Sequence, residues 1–252
     1  MQKIIFVGCR WIMSQMAINA DLLGYEIVGI LDHHYYGNTG EVCGIPVIGD
    51  ERWLEDPSND TAMSWLEDCN FFPGNWWNGS QQLNDDGPNL QLLRLDRIRL
   101  LERVGARVPN LIHPDALPSG WNSKYASIEL GKGIYFDSGC MIHADRTIIG
   151  DYCAFSHGTK LSGRTTIGKN VCGGSHAVVW DVNLGDNCYL GAHSNTSCYD
   201  TSFDKFRDIG SNTTIWNHAI VEKNVPANSQ YTTDGRVLRK TKVLSEEELT
   251  IG

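Results

Sequence analysis

Proton transfer near neutral pH is histidine chemistry, and five of the eight histidines in this 252-residue chain fall in its second half at telling places. His143 has a carboxylate two residues on, in Ile142-His143-Ala144-Asp145, and His157 stands in Phe155-Ser156-His157-Gly158. A histidine beside a carboxylate suits a general base, because the acid orients the imidazole and stabilises its charged form. Three readings stand side by side: His143 with Asp145 as the base, His157 serving from a neighbouring turn, or both as solvent-facing turn residues. His176, His193 and His218 each follow a glycine (Gly168, Gly185, Gly210) by eight residues. They fall in one column if those glycines mark equivalent points of a repeat, and such a column could line a groove or ligate a metal. The first third offers a different kind of site. Gly8-Cys9-Arg10 follows the apolar run Lys3–Val7, Asp32 ends the run Glu26–Leu31, and Asn75 closes the turn Pro73-Gly74-Asn75. Ligands of parallel sheets bind at such strand ends.

The elements that must carry the second set of residues are written as a repeat. The phrases LGKGIYF, IGDYCAF, IGKNVCG, LGDNCYL and IGSNTTI begin at Leu130, Ile149, Ile167, Leu184 and Ile209. Their glycines, Gly131, Gly150, Gly168, Gly185 and Gly210, are 19, 18, 17 and 25 residues apart. Within a period, apolar residues recur every six, as in Ile149–Phe155–Leu161–Ile167. Three hexads to a turn give three flat faces, each with one inward side chain, which is a hexapeptide β-helix. The coil from Gly131 to Gly150 carries one residue more than the period, and a bulge near Ala144 would re-aim His143.

Before the repeat, the apolar run, glycine turn, helical pattern Trp11–Leu23, second run and terminal acid make the opening of a Rossmann-like α/β domain. Gly8-Cys9-Arg10 does not complete GxGxxG, so the pattern does not specify a dinucleotide. A third strand is expected at Ile45–Ile48 and a basic amphipathic helix at Leu95–Val104. Residues 62–94, with Trp65, Phe71, Phe72, Trp76 and Trp77 around Pro73-Gly74-Asn75, read as an inserted loop after an aromatic knot. The domains are therefore expected at 1–113 and 114–228, with a tail at 229–252. A net charge of −9 argues against a nucleic-acid partner. Eight cysteines without CxxC spacing read as a reduced, cytoplasmic protein, and no stretch approaches the ~20 apolar residues of a membrane span.

With KIIFVG, EIVGILD, GIPVIGD, NLIHPDA, IIGDYCAFSHGTKLSG and IVEKNVPANS in this order, the chain resembles the hexapeptide-repeat sugar acetyltransferases, of the sialic-acid O-acetyltransferase and UDP-4-amino-sugar N-acetyltransferase type. The resemblance covers most of residues 1–228. It implies a left-handed β-helix, a homotrimer, acetyl-CoA as acyl donor without a metal, and a nucleotide-linked amino sugar as acceptor. It also implies that Gly8, Cys9, Arg10, Asp32 and Asn75 hold the acceptor. Gly174, His176, Gly191, His193 and His218 would line the donor's groove, with Arg239, Lys240 and Lys242 at hand for CoA phosphates. The loop Thr196–Asp208 would cover a neighbouring subunit's site. The sequence departs from the family at the base, since the place five residues before Gly150 holds Asp145 and the place four residues after it holds Ala154. His143, Asp145 and His157 are the candidates for that role. Transfer to a hydroxyl, nucleotide-sugar binding without turnover and a metal-dependent hydratase are the competing functions.

Overall fold

The computed structural model describes residues 1–9, 13–74, 90–116, 127–143, 146–197, 206–240 and 245–251. The chain divides into two units, one of Met1–Trp77, Pro88–Leu111 and Glu246–Gly252, the other built on Ile112–Ser245. In the first, β1 (Gln2–Val7), β2 (Tyr25–Leu31), β3 (Glu41–Val42), β4 (Ile45–Gly49) and β5 (Cys69–Pro73) form a sheet of order β3-β4-β2-β1-β5. β1 is parallel to β2 and β5, and β2 to β4, while β3 makes an antiparallel hairpin with β4. Ile4–Val7 are all fully buried, as an apolar run without alternation requires of a parallel strand covered on both faces.

α1 (Met13–Leu22) joins β1 to β2, and Gly24 closes it with the positive φ of 79° that a left-handed turn needs. Asp50 caps a 3-10 turn at Glu51–Glu55, and the Asn59 side chain caps α2 (Asp60–Asp68) by accepting from Ala62 N. Here the structure differs from the sequence expectation. Residues read as an insertion supply most of α2 and all of β5, and Phe71 and Phe72 are buried strand residues rather than a knot. α3 (Leu90–Arg103) likewise begins before the expected Leu95. The final residues are no loose tail, for α4 (Glu246–Leu249) belongs to this unit. Arg99 of α3 donates to the main-chain oxygens of Glu247 at 3.0 Å and Thr250 at 2.9 Å, and to that of Glu248.

The second unit is a parallel β-helix. One sheet stacks Ile128–Leu130, Thr147–Ile149, Thr166–Ile167, Val182–Leu184 and Arg207–Ile209. A second carries Tyr135–Phe136, Ala154–Phe155, Cys172–Gly173, Tyr189–Leu190, Thr214–Ile215 and Ser229–Tyr231. The third holds Met141–Ile142, Lys160–Ser162 and Val178–Trp180. Partners lie one coil apart, as in Ile149↔Ile167, Phe155↔Gly173 and Leu161↔Val179. The hexad residues Ile149, Phe155, Leu161 and Ile167 all point into the core, at no more than 1% exposed. The coil glycines are there because successive turns touch: a Cβ on Gly150 would lie 2.7 Å from the carbonyl carbon of Gly168. Val237–Arg239 closes the second sheet by pairing antiparallel to Ser229–Tyr231.

Each corner of the coil takes left-handed residues, one of them through Arg146, Gly163 and Asp181 at φ 50–68°. A second is filled by Asn170, Asn187, Asn212 and Asn228 at φ 53–58°, after Tyr152. The third is filled by Gly139 and Gly158, then by His176, His193 and His218 at φ 56–58°. No disulfide joins the seven described cysteines, and Cys140, Cys153, Cys172 and Cys188 serve as small buried residues. Burial pushes the Cys140 and Cys188 thiols up to about 12. Among the described residues, no helix is long and apolar enough to cross a membrane.

Candidate functional sites

In the sheet unit, the carboxyl ends of β1, β2, β4 and β5 converge. Gly8 N donates to Leu31 O at 2.7 Å and Gly74 N to Val7 O at 2.9 Å, and a Cβ on Gly74 would collide with Gly8 O. Asp32 stands at the end of β2 as the sequence predicts, but it is only 1% exposed and faces inward. Its Oδ2 accepts from Cys9 N at 3.1 Å and its Oδ1 from His34 N at 2.9 Å. Arg97 Nη2 lies 3.0 Å from Asp32 Oδ2, close enough for an ion pair though off the line of a hydrogen bond. Arg97 Nε donates to Glu51 Oε1 at 2.9 Å, and Glu51 in turn takes His33 N at 2.6 Å and meets His33 Nδ1 at 2.7 Å. The result is a buried chain, Asp32–Arg97–Glu51–His33, that sets the shape of the strand-end rim.

That network was missed in the sequence because its members look like surface residues. Its signal was the spacing of Gln91, Arg94 and Arg97, three residues apart on α3 and all buried. Polar side chains in a row on the inner face of a helix require buried partners. His34 is exposed, and its ring leans on that of His33 with centroids 3.9 Å apart and planes tilted by 40°. Desolvation, with His33 beside it, lowers the His34 pKa. His33, Asp50 and Glu51 offer ligand atoms within 4.8 Å of one another. Asp50 is already bonded to Arg52, and Glu51 to Arg97, so this set is charge-balanced without a cation. Arg10 and Asn75 lie outside the described residues.

In the β-helix, His143 donates its N–H to Leu161 O at 2.9 Å, its carbonyl accepts from Thr147 Oγ1 at 3.0 Å, and the residue is exposed. Asp145 lies outside the described residues. His157 is exposed, with Nδ1 3.3 Å from Ser175 Oγ and 3.4 Å from Ser156 Oγ. The pairing Ile142↔Leu161 sets His143 level with Ser162. His143 and His157 therefore sit at opposite edges of the third sheet, roughly 15 Å apart by the rise of an extended chain. One chain does not bring these two histidines to one point.

The column expected of His176, His193 and His218 is present as a ladder of rings. His157 meets His176 edge-on at 5.2 Å, His176 stacks on His193 at 5.0 Å, and His193 on His218 at 5.1 Å with planes 2° apart. Among the described residues, these rings do not form a group whose ligand atoms all lie within 4.8 Å of one another. Gly174 and Gly191 lie in the adjoining turns, with their N–H groups already donated to Leu190 O at 2.7 Å and Ile215 O at 2.8 Å. Lys240, expected to be available for a phosphate, is turned inward instead. It is 5% exposed, its Nζ donates to Asn212 Oδ1 at 3.0 Å, and burial lowers its pKa to about 8. Lys242 and residues 198–205 of the expected covering loop lie outside the described residues. At the loop's edge, Arg164 lies over the Phe206 ring at 4.7 Å. A further histidine–carboxylate pair, His113 Nδ1 with Asp115 Oδ1 at 2.5 Å, was written in the sequence as His-Pro-Asp and overlooked.

Solved structures resemble this architecture over nearly its full length. The acetyltransferase domain of PglB from Neisseria gonorrhoeae FA1090 superposes with a TM-score of 0.72 at 19% identity, over 94% of this chain and 100% of that one. This chain shares the fold of that domain. WeeI from Acinetobacter baumannii AYE gives a TM-score of 0.65 at 16% identity, over 94% and 100% of the two chains. PerB from Caulobacter crescentus, crystallised with CoA and GDP-perosamine, gives 0.64 at 17% identity, over 94% and 97%. No protein-family model matches the sequence, and no curated protein matches it significantly.

Proposed function

We propose that this chain is an acetyl-CoA-dependent N-acetyltransferase acting on the amino group of a nucleotide-linked sugar. The observation that carries the reading is the end-to-end match, in which 94% of this chain corresponds to 97% of PerB, a protein that binds CoA and GDP-perosamine. In this reading the sheet unit is a Rossmann-like domain for the acceptor's nucleotide, the β-helix is left-handed, and the working form is a cytoplasmic homotrimer. Gly8, Cys9, Arg10 and Asn75 are the acceptor-side residues, with Asp32 shaping their rim from behind. His176, His193, His218, Gly174 and Gly191 form the donor side.

The chemistry asked of the chain is direct acyl transfer. The sugar amine attacks the thioester carbonyl, the carbon–nitrogen bond forms, and the carbon–sulfur bond breaks to release CoA. The amine's excess proton goes to His143, oriented by Asp145, and is then available to the leaving thiolate. His157 has a secondary part, which the separation of the two histidines within one chain requires to come from a neighbouring copy in the homotrimer. Main-chain N–H groups would stabilise the oxyanion of the tetrahedral intermediate. The test is thiol release from acetyl-CoA in the presence of UDP-, TDP- and GDP-linked amino sugars. One of them should give stoichiometric CoA and an N-acetyl product. His143→Ala should lower kcat by about 10²–10⁴ while acetyl-CoA affinity holds, and His157→Ala should cost less. No turnover with any acceptor, from a protein that binds acetyl-CoA, would remove the reading. A change in Asp32 is a poor probe of acceptor binding, since it would strand the buried Arg97.

A further inference from the structure

The rim of the sheet unit carries aromatic rings, of which Trp53 also packs against the core. β2 runs out into His33-His34-Tyr35-Tyr36, and Tyr36, 44% exposed, meets Trp53 edge-on at 5.0 Å. Trp53 leans on Gly49 at the end of β4, where a Cβ would lie 2.6 Å from its ring. His33 is fixed at both its N–H and its ring by Glu51, and Glu51 is fixed by Arg97. His34 is held at its N–H by Asp32 and rests on the His33 ring. Four buried or half-buried groups, Asp32, Arg97, Glu51 and His33, thus hold the His34 backbone and the ring it leans on, while His34 itself is exposed. An exposed ring propped on a second, fixed ring at a strand's carboxyl end suits a planar ligand, and placing it in advance lowers the ordering cost of stacking.

We propose that His34, backed by His33, is the plate on which the heterocyclic base of the acceptor's nucleotide stacks. The proposal rests on the reading of the sheet unit as the nucleotide-sugar site and adds the side chain that meets the base. Base–aromatic stacking is worth about 1–3 kcal/mol per base, so loss of the ring should weaken nucleotide binding roughly 5- to 150-fold.

The experiment is calorimetric titration of the full chain with UDP, GDP, TDP and, separately, acetyl-CoA. His34→Ala should weaken whichever nucleoside diphosphate the wild type binds by at least fivefold, and His34→Phe should restore most of the loss. Acetyl-CoA affinity should stay within twofold in both variants, which also reports that they are folded. An unchanged nucleotide affinity in His34→Ala, or a phenylalanine variant no better than alanine, overturns the plate while leaving the acceptor reading intact. A wild type that binds acetyl-CoA but none of the three nucleotides overturns both together.

Discussion

Two corners of the β-helix make the same demand on the backbone and meet it with different residues. At one, Asn170, Asn187, Asn212 and Asn228 take φ of 53–58°, and at the other, His176, His193 and His218 take 56–58°. Asparagine is the side chain that tolerates this region best after glycine, because its short amide bonds locally. At its own corner it does so inward. Asn170 Nδ2 donates to Asn187 Oδ1 at 2.9 Å, Asn212 Nδ2 to Asn228 Oδ1 at 2.7 Å, and Lys240 ends the run on Asn212. The histidine corner makes no such ladder of hydrogen bonds, and its rings stand exposed and stacked about 5 Å apart. Three histidines in a strained conformation that asparagine would fill more cheaply are not explained by the fold. The difference teaches that the asparagine corner holds the coils together, whereas the histidine corner presents rings outward.

Substitutions can break that contrast from either side. The largest effect is expected from Asn212→Leu, which strands Lys240 and Asn228 and puts a branched side chain at φ 56°. About 3–5 kcal/mol should be lost, seen as a lower urea midpoint, and a cost below about 1 kcal/mol would deny the ladder its structural role. Lys240 should betray itself by pH. Its folded pKa of about 8 lies below the ordinary 10.5 because burial disfavours the ammonium. The full penalty therefore applies below pH 8 and is relieved as pH rises toward 10.5, so stability should climb over that window by roughly 2–3 kcal/mol. Lys240→Met should lack this rise, measured as the difference between the two proteins' urea midpoints at neutral and alkaline pH. The smallest change in stability, under about 1 kcal/mol, is expected when His176, His193 and His218 are all replaced by asparagine. The same variant should lose about tenfold in acetyl-CoA affinity, the equivalent of one good polar contact. Unfolding of this triple variant would mean that the rings, too, hold the corner.

The β-helix was legible because its physics repeats. The hexad Ile149–Phe155–Leu161–Ile167 is buried as counted, and the histidine column follows from counting eight residues past three glycines. The sheet unit yielded its first two strands and α1 for a related reason, since unbroken apolar runs around a glycine turn have few other uses. What sequence periodicity did not reveal was pairing over distance. Glu51 is 46 residues from Arg97, and neither residue announces that it is buried. Asp32 was read as a ligand group because its place in the strand is visible, while the arginine that engages it is not. β5 was lost because Phe71 and Phe72, near three tryptophans, looked like an aromatic knot.

One contact on the first unit carries a consequence in time. Arg99 of α3 closes onto Thr250, 151 residues further along the chain. At a synthesis rate of about 5–20 residues per second, that interval is on the order of ten seconds. During it the coils of the β-helix can form in succession, each on the one before it. The sheet unit, begun first, is therefore the one that waits, with α3 bare along the side where α4 will lie.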